Sequence, residues 1–174
     1  MKTLLLVLFA ATLFTGCKKD KGEDQLPPAT QIGANTFGCK INGKVFVPKG
    51  YDPNRIKPNP HIIYDYGLNG QPYLYIEVNK FKDYNGQQII SFGNLDNLGY
   101  YNLSDNMSFS CLWPNVIGSC GTGAFDTTIQ KWGGGYITKL DIPNRIISGT
   151  FDFKYKTLNC DTVFITDGRF DIRF

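Results

Sequence analysis

Reactive side chains are scarce in this 174-residue chain. His61 is the single histidine, and Glu77 is the one glutamate after Glu23. A serine or cysteine nucleophile needs a base within hydrogen-bond reach. His61 follows Pro60 and opens an alternating run, so it reads as an ordinary strand-edge residue. No Gly-x-Ser-x-Gly elbow, His-Glu-x-x-His helix or phosphate-cradling glycine loop occurs. Paired carboxylates could hydrolyse a glycoside. Glu77, however, alternates with Leu74, Ile76 and Val78, which places it with Tyr73 and Tyr75 on the wet face of a strand. Asp96, Asp105, Asp161 and Asp167 fall in turn sequences, where aspartate bonds its own backbone. Asn94, Asp96 and Asn97 bring one carboxylate between them, too few for a calcium loop. Without a Cys-x-x-Cys pair, zinc is not expected either. The reading is of a chain with no catalytic residue, no metal and no cofactor.

Cysteines and aromatics carry what chemistry remains. Cys39, Cys111, Cys120 and Cys160 are disulfide candidates, and four cysteines allow three pairings. Cys111 and Cys120 span Pro114 and Gly118, so that pair could close a loop and leave Cys39 and Cys160 as a long-range bridge; the sequence leaves the pairing open. Aromatic residues make up 14% of the chain. Exposed rings stack on sugars or anchor protein contacts, although most rings in such a chain pack in its interior. Trp132 precedes Gly133, Gly134 and Gly135, which cannot cover it, so it is expected at the surface. Tyr73 and Tyr75 join it as candidate ligand contacts.

The N-terminus speaks to location. Lys2 is followed by the uncharged apolar stretch from Leu4 to Phe14, then by the small residues Thr15 and Gly16 and by Cys17. This resembles a bacterial lipoprotein signal, in which residues 1–16 are removed and Cys17 carries the lipid; Phe14 stands where leucine is common. The apolar stretch is shorter than the roughly 20 residues that cross about 30 Å of hydrocarbon. Acyl chains contribute about 0.8 kcal/mol per buried methylene, and several chains on one cysteine give durable attachment. In such bacteria Lys19-Asp20 resembles part of a surface-export signal, interrupted here by Lys21. Outer-membrane attachment is expected, on the periplasmic face or at the cell surface.

The elements that must position these residues read as strands. Residues 17–35 are polar at first and then stiffened by Pro27-Pro28, so they read as a flexible tether. Residues 36–174 read as the folded domain. Hydrophobic residues are 42% of the chain, enough for a packed core. Asn42-Gly43 sits between two alternating runs, the strongest short-range hairpin signal. Further runs are 61–66, 73–78, 88–92, 100–103, 107–113 and an irregular one at 124–130, which the three glycines are expected to end. Then come 136–142, 146–155, 161–166 and 170–174, with a turn at Asp167-Gly168. Period-2 alternation with one apolar and one polar face marks antiparallel sheets. The expected class is all-β: an antiparallel β-sandwich or small β-barrel of about nine or ten strands.

Two stretches also resemble a known family. Phe37-Gly38-Cys39-Lys40-Ile41-Asn42-Gly43-Lys44, followed by Val45-Phe46-Val47-Pro48, is similar to the opening of small Bacteroidota lipoproteins whose domain has no assigned function. Ile137-Thr138-Lys139-Leu140-Asp141, Ile147-Ser148-Gly149-Thr150-Phe151-Asp152-Phe153 and Asp167-Gly168-Arg169-Phe170-Asp171 resemble the family's end. The resemblance implies export, a lipid anchor and an all-β domain, and brings no catalytic residues.

Charge narrows the partners. Eighteen basic and fifteen acidic residues are interspersed, for a net charge of +3, which excludes a nucleic-acid stripe. The expected function is a non-enzymatic envelope module binding a glycan, a peptide or an envelope protein, attached to the membrane through its lipid. The alternatives are a structural accessory lipoprotein without a soluble ligand and an unrecognised hydrolase.

Overall fold

The computed structural model describes residues 24–49, 59–79, 87–103, 107–112, 129–158 and 160–174, with backbone alone at 87–89 and 108–112. The signal segment, Cys17, Cys120 and the irregular run at 124–128 lie outside the described residues. No helix among those described is long and apolar enough to cross a membrane.

The Asn42-Gly43 turn forms as expected. Both residues take positive φ, +47° and +79°, as a type I′ turn requires. It joins β1 (Thr36–Ile41) to β2 (Lys44–Phe46). The second sheet contains β3 (His61–Tyr66), β4 (Pro72–Asn79), β5 (Gln87–Phe92) and β7 (Met107–Leu112). Between the last two, β6 (Gly99–Asn102) crosses back to the first sheet. The chain then runs through β8 (Gln130–Asp141), β9 (Ile146–Lys156) and β10 (Val163–Arg173). Among the described residues, one sheet has the order β2-β1-β10-β9-β8-β6 and the other β3-β4-β5-β7. All pairings are antiparallel.

Two sequence expectations fail for the same reason. The three glycines do not end a strand; β8 runs straight through them. A Cβ on Gly134 would lie 2.0 Å from the Tyr101 carbonyl oxygen, so a side chain there would push β6 away. Gly133 has φ +96°, a conformation open to glycine. Likewise Asp167-Gly168 is not a turn. It is a bulge inside β10, where the register with β9 slips between Ile165 and Gly168 and Asp167 takes φ +53°. Glycines that read as punctuation serve here as clearance within long strands.

The sheets pack face to face. Ile147, Phe151, Phe153 and Tyr155 of β9 and Phe170 and Ile172 of β10 meet Leu74, Ile76 and Val78 of β4 and Phe92 of β5 in one buried cluster. The Phe92 ring centroid lies 5.7 Å from Phe170 and 5.9 Å from Tyr101. Phe174 closes one end against Tyr64 at 4.4 Å. Each buried side chain of this size stabilises the fold by about 1.5–3 kcal/mol. Two separate sheets around one core make a sandwich, not a closed barrel.

The outer face of the larger sheet is partly covered by residues 24–35, the later part of the stretch read from sequence as a tether. Asp24 pairs with Lys49. Pro27 lies on Gly38, where a Cβ would come within 2.6 Å of the proline ring. Beyond it the strap wraps the carboxylate of Asp171, a residue 1% exposed. Thr30 donates its hydroxyl at 2.6 Å. The backbone N–H groups of Ile32, Gly33 and Ala34 donate at 3.1, 2.8 and 3.2 Å. From beneath, Ser148 donates its hydroxyl at 2.8 Å. Lys139 then donates to the Gln31 carbonyl at 3.0 Å.

Burial by itself raises the Asp171 pKa; the hydroxyl and N–H donors of Thr30, Gly33, Ser148 and Ala34 outweigh it and hold it at about 2. A folded pKa below the unfolded one near 3.9 stabilises the fold fully above pH 4, and the gain is lost as pH falls towards 2. Asp171→Asn is expected to lower unfolding free energy by about 2–3 kcal/mol at pH 7, because the substitution leaves N–H donors facing an amide. Denaturant titrations at pH 7 and pH 3 check this. The wild type loses stability between them, whereas the variant's loss over that interval is smaller.

Candidate functional site

Beside the strap lies a groove of about 380 Å³ on the same outer face. Its floor is Gly134 of β8 with Thr150 and Asp152 of β9. Ala29 of the strap and Arg169 of β10 bound it on one side, and Tyr100 of β6 and Tyr136 of β8 on the other. The register explains the grouping. Tyr100 pairs with Tyr136, Tyr136 with Thr150, and Thr150 with Arg169, so one row of side chains crosses four strands. Directly opposed residues share a face, which puts all four on the outer surface.

The aromatic wall is open to solvent. Tyr100 is 50% and Tyr136 54% exposed. Their ring centroids are 5.0 Å apart and their planes 52° from parallel. The Tyr100 phenol lies over Gly134; a Cβ there would sit 2.9 Å from its hydroxyl oxygen. Two residues along β8 on the same face is Trp132, 44% exposed. Its cross-strand partner Lys154 sets its ammonium 5.2 Å from the indole centroid, a cation–π contact of about 0.5–1 kcal/mol at an exposed site. Trp132, Tyr100 and Tyr136 form one row of rings.

Polar groups line the other side. Arg169 is held by its own bonds, Nε to the Asp167 carbonyl at 3.2 Å and Nη1 to the Pro27 carbonyl at 3.4 Å. The Asp167 carboxylate meets Lys40 at 2.9 Å. Hydrogen bonding from Lys40, joined by its charge, holds that carboxyl below the usual range. The groove therefore combines flat apolar rings, acceptor-only carboxylates and a positioned guanidinium. Such a set can stack on a ligand and both give and accept hydrogen bonds. Among the described residues, no group of His, Cys, Asp or Glu could hold a metal ion.

The structure divides the sequence-predicted residues. Trp132 is exposed and adjoins the groove. Tyr73 and Tyr75 lie on β4, on the outer face of the other sheet, half-buried and apart from Trp132. Glu77 departs from expectation. It shares the face of Tyr75 yet is only 5% exposed. Tyr75 donates to one of its oxygens and Asn79 to the other, each at 3.3 Å, and His61 is its partner in register. Strand alternation correctly assigns Glu77 to the outer side, but an outer side that other parts of the molecule cover is not a wet one. Tyr100, Tyr136, Asp152 and Arg169 were missed. The available signal was period 2 across Trp132, Gly134 and Tyr136, hidden by reading the glycines as a break.

Cys39 also differs from the expected long-range bridge. On β1, it is a thiol fully buried in the core, so it is not the partner of Cys160. The side chains of Cys111 and Cys120 lie outside the described residues.

Comparison with known proteins brings no relative to this site: no family model matches the chain, and neither a curated protein nor a solved structure matches it.

Cys39 is expected to resist alkylation in the native protein and to react once denatured. Mass spectrometry of iodoacetamide-treated samples, without reductant, reads both states.

Proposed function

We propose that this chain is a lipid-anchored envelope protein whose β-sandwich binds a saccharide, without catalysis, in the groove beside Trp132. The single observation that carries the reading is the row of three exposed rings set beside Asp152 and Arg169. Sugar rings present apolar C–H faces that stack on aromatic rings. Their hydroxyls donate to carboxylates and accept from guanidinium groups. A groove of about 380 Å³ is within the ordinary range of ligand sites.

The location belongs to the same proposal. Cys17 becomes the acylated N-terminus after residues 1–16 are removed, and the protein faces the periplasm or the exterior from the outer membrane. The resemblance to Bacteroidota lipoproteins supports this.

Cys17→Ser should move the protein from the membrane to the soluble fraction; retention in the membrane would defeat the anchor. With that soluble protein, calorimetric titration against a saccharide panel tests the groove. Tyr136→Ala should weaken binding about tenfold, equivalent to about 1.4 kcal/mol, with an unchanged melting temperature. An unchanged affinity would remove the groove from the function.

A further inference from the structure

We infer that the ligand is an oligosaccharide of at least three pyranose units lying lengthwise along β8; this rests on the saccharide reading of the same groove. The row of rings follows the strand. Trp132 and Tyr136 are four residues apart on one face, a separation of about 13 Å at roughly 3.3 Å per residue. One sugar ring cannot reach both. Between them the strand offers only Gly133, Gly134 and Gly135, and the phenol of Tyr100, borne by β6, fills the place above Gly134. The face thus offers three stacking positions in sequence, each from a separate side chain.

The polar groups keep the same order. Asp152 pairs with Gly134 in register, so its carboxylate stands at the middle position. Thr150 pairs with Tyr136, and Arg169 with Thr150, at one end of the row. Lys154 pairs with Trp132 at the other end. A compact ligand would meet one end or the middle; a linear chain meets all three. The strap bounds the groove on the β10 side at Ala29, while among the described residues the sheet ends at β6, beyond Tyr100. A chain therefore passes along the strands more readily than across them.

The test is a length series. Glucose, and the α-1,4 and β-1,4 glucose oligomers from dimer to hexamer, are titrated into Cys17→Ser protein and into the same protein carrying Trp132→Ala. In the better-bound series, affinity should rise at least tenfold from monomer to trimer. Trp132→Ala should erase most of that gain. Melting curves confirm that the variant folds. If glucose binds as tightly as the hexamer, or if Trp132→Ala leaves the length dependence intact, the lengthwise site is wrong and the saccharide reading stands. If no sugar in the set binds, both readings fall.

Discussion

A carboxylate shut away from water must find donors or lose its charge, and at Asp171 the chain supplies five. Four come from the strap and one from Ser148 on the neighbouring strand. The bond set fixes more than the strap. Residues 24–35 contain few side chains able to build a core, so their own packing could not hold them to a sheet. The carboxylate does so by giving their backbone N–H groups a buried acceptor, as a ladder strand would. With the strap in place, Ala29 bounds the groove and Pro27 offers its carbonyl to Arg169. The guanidinium is thereby held in place by the carbonyls of Asp167 and Pro27.

The same sheet separates two demands by face. Its inner side is packed with large apolar residues, and β9 alternates between them and Thr150, Asp152 and Lys154 without interruption. The outer side is neither wholly polar nor wholly covered. Gly134 thins the surface there, and Tyr100 leans into the space from β6. Thinning a strand costs stability, since glycine packs little and loses much freedom on folding. The long pairing of β8 with β9 offsets that cost, spanning almost all of both strands. The aromatic row thus sits on two strands and not on a loop.

Much of the fold could be read from residue order. Alternation located nearly every described strand, and Asn42-Gly43 marked its hairpin because no common residue pair other than such a one accepts two successive positive φ angles. The site was less legible. Trp132 drew attention through its glycine neighbours, but those glycines also concealed the strand that sets it beside Tyr136. Tyr73 and Tyr75 share its chemistry and lie on another sheet. Glu77 shows the limit of periodicity: alternation assigns a side chain to a face, and only the rest of the molecule determines whether that face meets water. Asp171 looked like one more polar position in an alternating strand end, since its partners in the strap are about 140 residues away in the chain.

Sequence alone determined the class of structure, because period-2 patterning and turn chemistry act between residues a few places apart. Tertiary structure decided the rest. It chose a sandwich over a barrel, buried Cys39 as a thiol, laid the strap over Asp171 and brought β6, β8, β9 and β10 into one row across the groove. Those outcomes depend on register between strands distant in sequence, and register is set by packing and clearance across the whole sheet, which no local pattern encodes.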